Sequence, residues 1–149
     1  MNKLVAQTMA KKENGEKGFT LIELLVVVII IGILAAIAIP VFLNMRQGAW
    51  RSSVESDVNN AILAVEQAAQ ANNGSYKDLD YSTAVAVGKT EADDATPGMI
   101  GTQSFSASEG NTVTVSDDGD GYKIVGENSN LDGKTYTYTS SDGAKSWND

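Results

Sequence analysis

The chain has 149 residues, room for one domain and not comfortably two. It contains no Cys and no His, which removes thiol nucleophiles, disulfides, thiolate zinc sites and His-based acid–base chemistry together. Its formal net charge of −8 is split: residues 1–18 carry Lys3, Lys11, Lys12 and Lys17 against Glu13 and Glu16, net +2, and the remainder carries seven basic and seventeen acidic side chains, net −10. A basic head before an acidic body points to two different surroundings, and the acidic body argues against a large nucleic-acid footprint.

Residues 1–18 are polar and basic with no apolar run. A secretory signal places its apolar stretch before a small-residue cleavage site, whereas here the apolar stretch comes after. From residue 24 to residue 45 there is no charge at all. As a helix these 22 positions measure roughly 33 Å, close to the ~30 Å hydrocarbon thickness of a bilayer. The run is apolar on every face, which describes a membrane span or a helix buried all round. The lysines on its N-terminal side keep that end cytoplasmic, and a long acidic domain translocates with little regard to charge. The expected topology is N-terminus in, body out.

Beyond the run, Trp50, Val54, Val58, Ala61, Val65 and Ala68 recur at steps of three and four, one stripe of an α-helix. Asn72-Asn73-Gly74 offers the left-handed cap that ends it. Unbroken from Phe19, such a helix is roughly 80 Å long. Gly32 and Pro40 are expected interruptions, with a kink at Pro40, which lacks a backbone donor and crowds the preceding turn.

The remainder reads as loop and strand. A short strand is expected at 84–87, and 112–116, 122–125 and 135–139 alternate β-branched or aromatic residues with others. The turn-rich segments 117–121 and 128–133 separate them. The expected fold is α+β: a long N-terminal helix, half apolar and half amphipathic, packed on an antiparallel meander of three or four strands. No serine sits in a G-x-S-x-G elbow.

At the junction stands Lys17-Gly18-Phe19-Thr20-Leu21-Ile22-Glu23-Leu24. A charged Lys, a small residue, an aromatic and a lone acid head the apolar run. This resembles the prepilin cleavage motif of the type IV pilin family and of the related pseudopilins. The resemblance covers roughly the first third of the chain; beyond it only the layout is similar, a long helix, then Asn73-Gly74-Ser75-Tyr76, then a sheet. It implies that a prepilin peptidase cuts between Gly18 and Phe19 on the cytoplasmic side and methylates the new amine of Phe19. A residue without Cβ gives a protease close access to the backbone.

Glu23 is a carboxylate at the edge of an apolar span, a costly place that calls for a partner. None is evident on its own chain. The resemblance implies the Phe19 amine of a neighbouring subunit; the alternative is a side chain that snorkels to the headgroups. Gly32 and Pro40 match positions of the family's helix, and the stretch between them is similar to one that loses helical order when subunits pack; the alternative is that Pro40 only bends the helix. The absence of Cys departs from pilins that close a C-terminal loop with a disulfide. It is similar to Cys-free pilins of Gram-positive bacteria, which the ending at residues 134–143 also resembles, or to a pseudopilin.

Asp117, Asp118 and Asp120 lie in a Gly-rich segment that suits either Ca²⁺ or a plain solvated turn. No other cofactor is implied. The organisation expected is a leader at 1–18, a transmembrane and polymerisation helix at 19–45, and an extracellular pilin domain at 46–149. The function expected is a non-enzymatic major subunit of a type IV pilus. It is a membrane precursor first and part of a surface filament later. Its partners are identical subunits, a prepilin peptidase, the pilus assembly machinery and, before assembly, the membrane. Alternatives are a pseudopilin of a type II secretion or competence system, and a membrane-anchored binding module or enzyme.

Overall fold

The computed structural model describes residues 18–149. The rest of the expected leader, including Lys17, lies outside the described residues. Helix α1 spans Leu21–Ala71, 51 residues. Its first half is dense in Val and Ile, whose branched side chains disfavour a helix in water. In a bilayer the same run has no alternative, because each backbone N–H must find its acceptor inside the segment. Pro40 stands inside α1. The helix remains continuous through Gly32 and Pro40, so the expected interruption is corrected to an unbroken helix in the lone chain. One missing donor is a small loss among so many i to i−4 bonds, and a side chain at Gly32 would meet nothing within 4 Å.

The chain divides into two compact units between Leu43 and Asn44. Among the described residues of the first, the large apolar side chains are bare, from 48% exposed at Val26 to 91% at Phe19. This part of α1 is long and apolar enough to cross a membrane, and none of its most apolar stretch is buried.

The second unit, Asn44–Asp149, holds the core. Its part of α1 buries Val54, Asp57, Val58, Ala61, Ala64, Val65, Ala68 and Ala69, which is the expected stripe widened by alanines and one acid. At the end of α1, Asn73 takes φ 56° and the Gly74 N–H donates to the Ala69 carbonyl at 2.7 Å. That is the 6→1 bond of a Schellman cap.

Seven strands follow: β1 Val85–Val87, β2 Gly98–Ile100, β3 Gln103–Phe105, β4 Asn111–Asp117, β5 Tyr122–Asn128, β6 Thr135–Thr139 and β7 Ala144–Trp147. Five form an antiparallel sheet in the order β1-β4-β5-β6-β7, and β2 pairs with β3 in a separate hairpin. Expected strands β1, β4, β5 and β6 are present. The expected count of three or four is too low, because β2, β3 and β7 carry little alternation.

Registers align Ala86, Val113, Gly126, Tyr136 and Trp147 in one row across the sheet. The row faces α1. Gly126 is the gap in it: a Cβ there would stand 2.6 Å from Val58 Cγ2 and 2.7 Å from Val54 Cγ1. Helix and sheet therefore touch backbone to side chain at this point, and the ring of Tyr122 and the side chain of Ile124 fill the core beside it.

Candidate functional site

The N-terminal junction is built by a local sequence device. Residues 18–20 precede the helix, and α1 starts at Leu21. Thr20 is its N-cap and Glu23 its third residue. The Glu23 N–H donates to Thr20 Oγ1 at 3.3 Å. In return, Thr20 N–H and the Thr20 hydroxyl both donate to Glu23 Oε2 at 3.1 Å. This is a capping box, in which two unpaired donors of the helix start are satisfied reciprocally. The carboxylate also lies at the positive end of the helix dipole.

The expectation that Glu23 has no partner on its own chain is thus corrected. The signal was present as Thr-x-x-Glu before an apolar run. Both Thr20 donors use Oε2.

Gly18 and Phe19 stand immediately before the cap, both exposed. Among the described residues nothing lies within 4 Å of a Cβ built at Gly18, so no packing inside this chain requires glycine there. Gly32 and Pro40 lie far along the exposed apolar face of α1 and are not brought to the junction.

Asp117, Asp118 and Asp120 are exposed on the β4–β5 turn. Asp117 Oδ1 accepts from Gly119 N–H at 3.0 Å, Gly119 takes φ 83°, and Asp120 lies 3.6 Å from Lys77 Nζ. Among the described residues no three acidic groups gather so as to hold a metal ion. The geometry is that of an Asx-type turn, the plain-turn alternative for this segment.

Three polar clusters inside the second unit were not foreseen. Buried Asp57 accepts from Ser108 N–H at 2.6 Å, Ser108 Oγ at 2.9 Å and Asn111 Nδ2 at 2.7 Å. Asn111 Oδ1 in turn accepts from Asn128 Nδ2 at 2.6 Å. This knot fastens α1 to β4, β5 and the β3–β4 loop.

At the other end of the sheet, Glu66 accepts from the phenols of Tyr122 at 2.7 Å and Tyr76 at 3.0 Å. Tyr76 and Tyr138 both stack against Tyr122. Burial, then the Glu66 bond, pushes the Tyr122 phenol far above its ordinary range and raises Tyr76 as well. Burial and then the charge of Asp117 push Tyr81 up to about 12.

The third cluster holds β7. Trp147 Nε1 donates to Glu55 Oε1 at 2.8 Å, the Arg51 guanidinium covers the Trp147 ring at 4.9 Å, and Arg51 pairs with Asp149. The Arg51 hydrogen bond lowers the Asp149 carboxyl below its usual range. In a chain without Cys, noncovalent bonds of this kind fix the last strand to the helix.

A helix-capping acid before a bare apolar helix that runs into an antiparallel sheet unit defines a class: α+β proteins with a long, apolar N-terminal helix. Comparison with known proteins gives the family. The model of the prokaryotic N-terminal methylation motif matches residues 14–39. A fimbrial protein of Pseudomonas aeruginosa is 35% identical over 128 residues, 72% of this chain and 83% of that protein. The chain belongs to the type IV pilin family.

The type IV major fimbrial protein FimA of Dichelobacter nodosus is 53% identical over 51 residues, 34% of this chain and 33% of that protein. The type IV wide pilus major component PilA4 of Thermus thermophilus is 48% identical over 60 residues, 40% and 45% respectively. The chain therefore spans about a third of the length of the Dichelobacter relatives it matches. No solved structure matches it.

Proposed function

We propose that the chain is the major subunit of a type IV pilus, cut between Gly18 and Phe19 by a prepilin peptidase and polymerised through the apolar half of α1. The proposed organisation is a leader at 1–18, a membrane and polymerisation helix at 19–45 and a surface domain at 46–149, with the N-terminus cytoplasmic before assembly. The observation that carries this reading is the capped Glu23 at the head of an uncovered apolar helix. Water is a poor home for that helix. Each large apolar side chain buried contributes about 1.5–3 kcal/mol, so the helix seeks lipid first and neighbouring subunits later.

Glu23 connects processing to assembly. Its Oε2 is held at the Thr20 nitrogen, one peptide unit from the nitrogen of Phe19. Cutting after Gly18 turns that nitrogen into a charged amine. In the membrane the capping box keeps the carboxylate hydrogen-bonded; in the filament, the same carboxylate takes the Phe19 amine of an adjacent subunit, where low dielectric strengthens the attraction. Gly32 and Pro40 then mark the stretch of α1 best able to adjust as helices pack, since one is a poor helix former and the other lacks a donor.

Glycine at position 18 answers to the peptidase, because nothing within the described chain crowds it. The test is Gly18→Val in cells carrying the assembly machinery. Uncut precursor should stay in the membrane fraction, and sheared surface filaments, abundant for the unaltered chain, should disappear. Filaments built from uncut Gly18→Val protein would overturn the reading.

A further inference from the structure

A polar cavity of about 550 Å³ opens in the second unit, where Arg46 and Trp50 of α1 meet the loops carrying Lys89, Glu91, Glu109 and Asn130. Its walls are tied together. Gly110 N–H donates to the Lys89 carbonyl at 3.1 Å, Ser129 N–H to the Gly110 carbonyl at 3.0 Å, and Gly88 N–H to the Asn111 carbonyl at 2.8 Å. Asn111 is itself locked into the buried knot with Asp57 and Asn128. The cavity is therefore preformed, within the size range of small-ligand sites.

Its charges are balanced. Arg46 and Lys89 are positive, and Glu91 and Glu109 are negative. A simple anion would meet two carboxylates and a simple cation two bases, whereas a ligand with an anionic and a cationic end joined by a short link satisfies both pairs. The sequence position narrows the choice. The uncharged run ends at Met45, Arg46 is the next residue, and Trp50 lies one helical turn on, with the guanidinium 4.8 Å from its ring centroid. Basic and indole side chains in this order are the usual anchors at a membrane–water boundary.

We propose that the cavity binds a zwitterionic phospholipid headgroup of the phosphoethanolamine class while the subunit waits in the membrane. The phosphate pairs with Arg46 and Lys89, and the ammonium with Glu91 and Glu109. The inference rests on the reading of residues 19–45 as a membrane span.

The test uses the full chain, first in detergent and then in lipid nanodiscs. In detergent, calorimetric titration with soluble glycerophosphoethanolamine should show saturable binding. Glycerophosphate, which lacks the ammonium, should bind about tenfold more weakly, as should glycerophosphoethanolamine to a Lys89→Gln/Glu109→Gln variant, each having lost a charge-assisted contact. Both altered side chains are exposed, and an unchanged melting curve checks that the variant is folded. Absence of binding, or equal affinity in the variant, overturns the site.

The nanodisc arm separates the sources of the headgroup. In phosphatidylglycerol discs the soluble headgroup should bind; in phosphatidylethanolamine discs the lipid should already fill the site and abolish that binding. Equal binding in both discs overturns the lipid as occupant. A chain that does not enter discs contradicts the membrane-span reading instead, and the detergent titration then still decides whether the cavity takes the headgroup.

Discussion

Thr20 and Glu23 complete each other's backbone: Thr20 Oγ1 accepts from the Glu23 N–H at 3.3 Å, and Glu23 Oε2 accepts from the Thr20 N–H at 3.1 Å. Glu23 thus has two separable properties, a capping oxygen and a negative charge. Glu23→Gln keeps the first, since Gln serves equally at this position of a capping box, and removes the second. Normal cleavage with few or no filaments is expected. Thr20→Val does the reverse, costing about 1 kcal/mol of cap while leaving the charge, and should still be cut and still assemble. Electron microscopy of sheared fractions reads both, and abundant filaments of normal register from Glu23→Gln would sink the docking role of the charge.

Asp57→Ala should be among the most damaging changes in the second unit. It leaves the Ser108 N–H, the Ser108 hydroxyl and the Asn111 amide without their acceptor, and each buried donor left unmet costs about 1–3 kcal/mol. Asp57→Asn retains one acceptor oxygen and should lose less. Thermal melts of the detergent-solubilised chain check the order, and an Asp57→Ala melt equal to the parent would remove the knot from the account of stability.

Gly126→Ala tests the contact of sheet and helix. The added methyl would stand under 3.0 Å from both Val54 and Val58, and overpacking of this kind costs about 1–3 kcal/mol. Adding Val58→Ala should recover part of the loss by opening space. If the double variant is less stable than the sum of the two single changes, the clash is not the cause.

Alkali should unfold the second unit through its tyrosines. Burial raises the folded-state value of Tyr81 to about 12 and that of Tyr122 beyond it, against about 10 in the unfolded chain. Above pH 10 the unfolded state releases protons that the folded state retains, so stability is full below pH 10 and falls as pH rises through 12. Each retained proton steepens the fall by about 1.4 kcal/mol per pH unit. Denaturant midpoints measured from pH 8 to 11 should drop, and Tyr122→Phe should drop less steeply, though from a lower start because its bond to Glu66 is gone. Parallel slopes would contradict the assignment.

The parts of the fold legible in the sequence are those written in short-range periods. The Trp50-to-Ala68 stripe repeats at helical spacing, and β4 and β5 alternate buried with more exposed residues over five and seven positions. β2 and β3 are three residues long, too short for alternation to register, and are held by burial of Ile100 and Phe105. β7 lacks β-branched residues and is fixed by Trp147 and Asp149 reaching helix residues far away in the chain. Burial of Asp57 carries no local signal, because its partners Ser108 and Asn111 lie more than fifty residues on.

At the junction, the order of Gly18, Phe19 and Glu23 falls within the matched N-terminal methylation motif. The capping box is written there too, as Thr20-Leu21-Ile22-Glu23, the S/T-x-x-E pattern before an apolar run. Pro40 marked a kink and a point of interruption because its missing donor is a local fact, whereas continuity of the helix depends on the many bonds around it.

The central claim is that Phe19 becomes the first residue of a polymerised subunit. Intact mass spectrometry of filaments sheared from the cell surface, with fragmentation of the N-terminal peptide, tests it most directly. The account predicts a chain that begins at Phe19 with a methylated amine and runs on through Glu23. Filament protein that still carries Lys17 and Gly18 would contradict it.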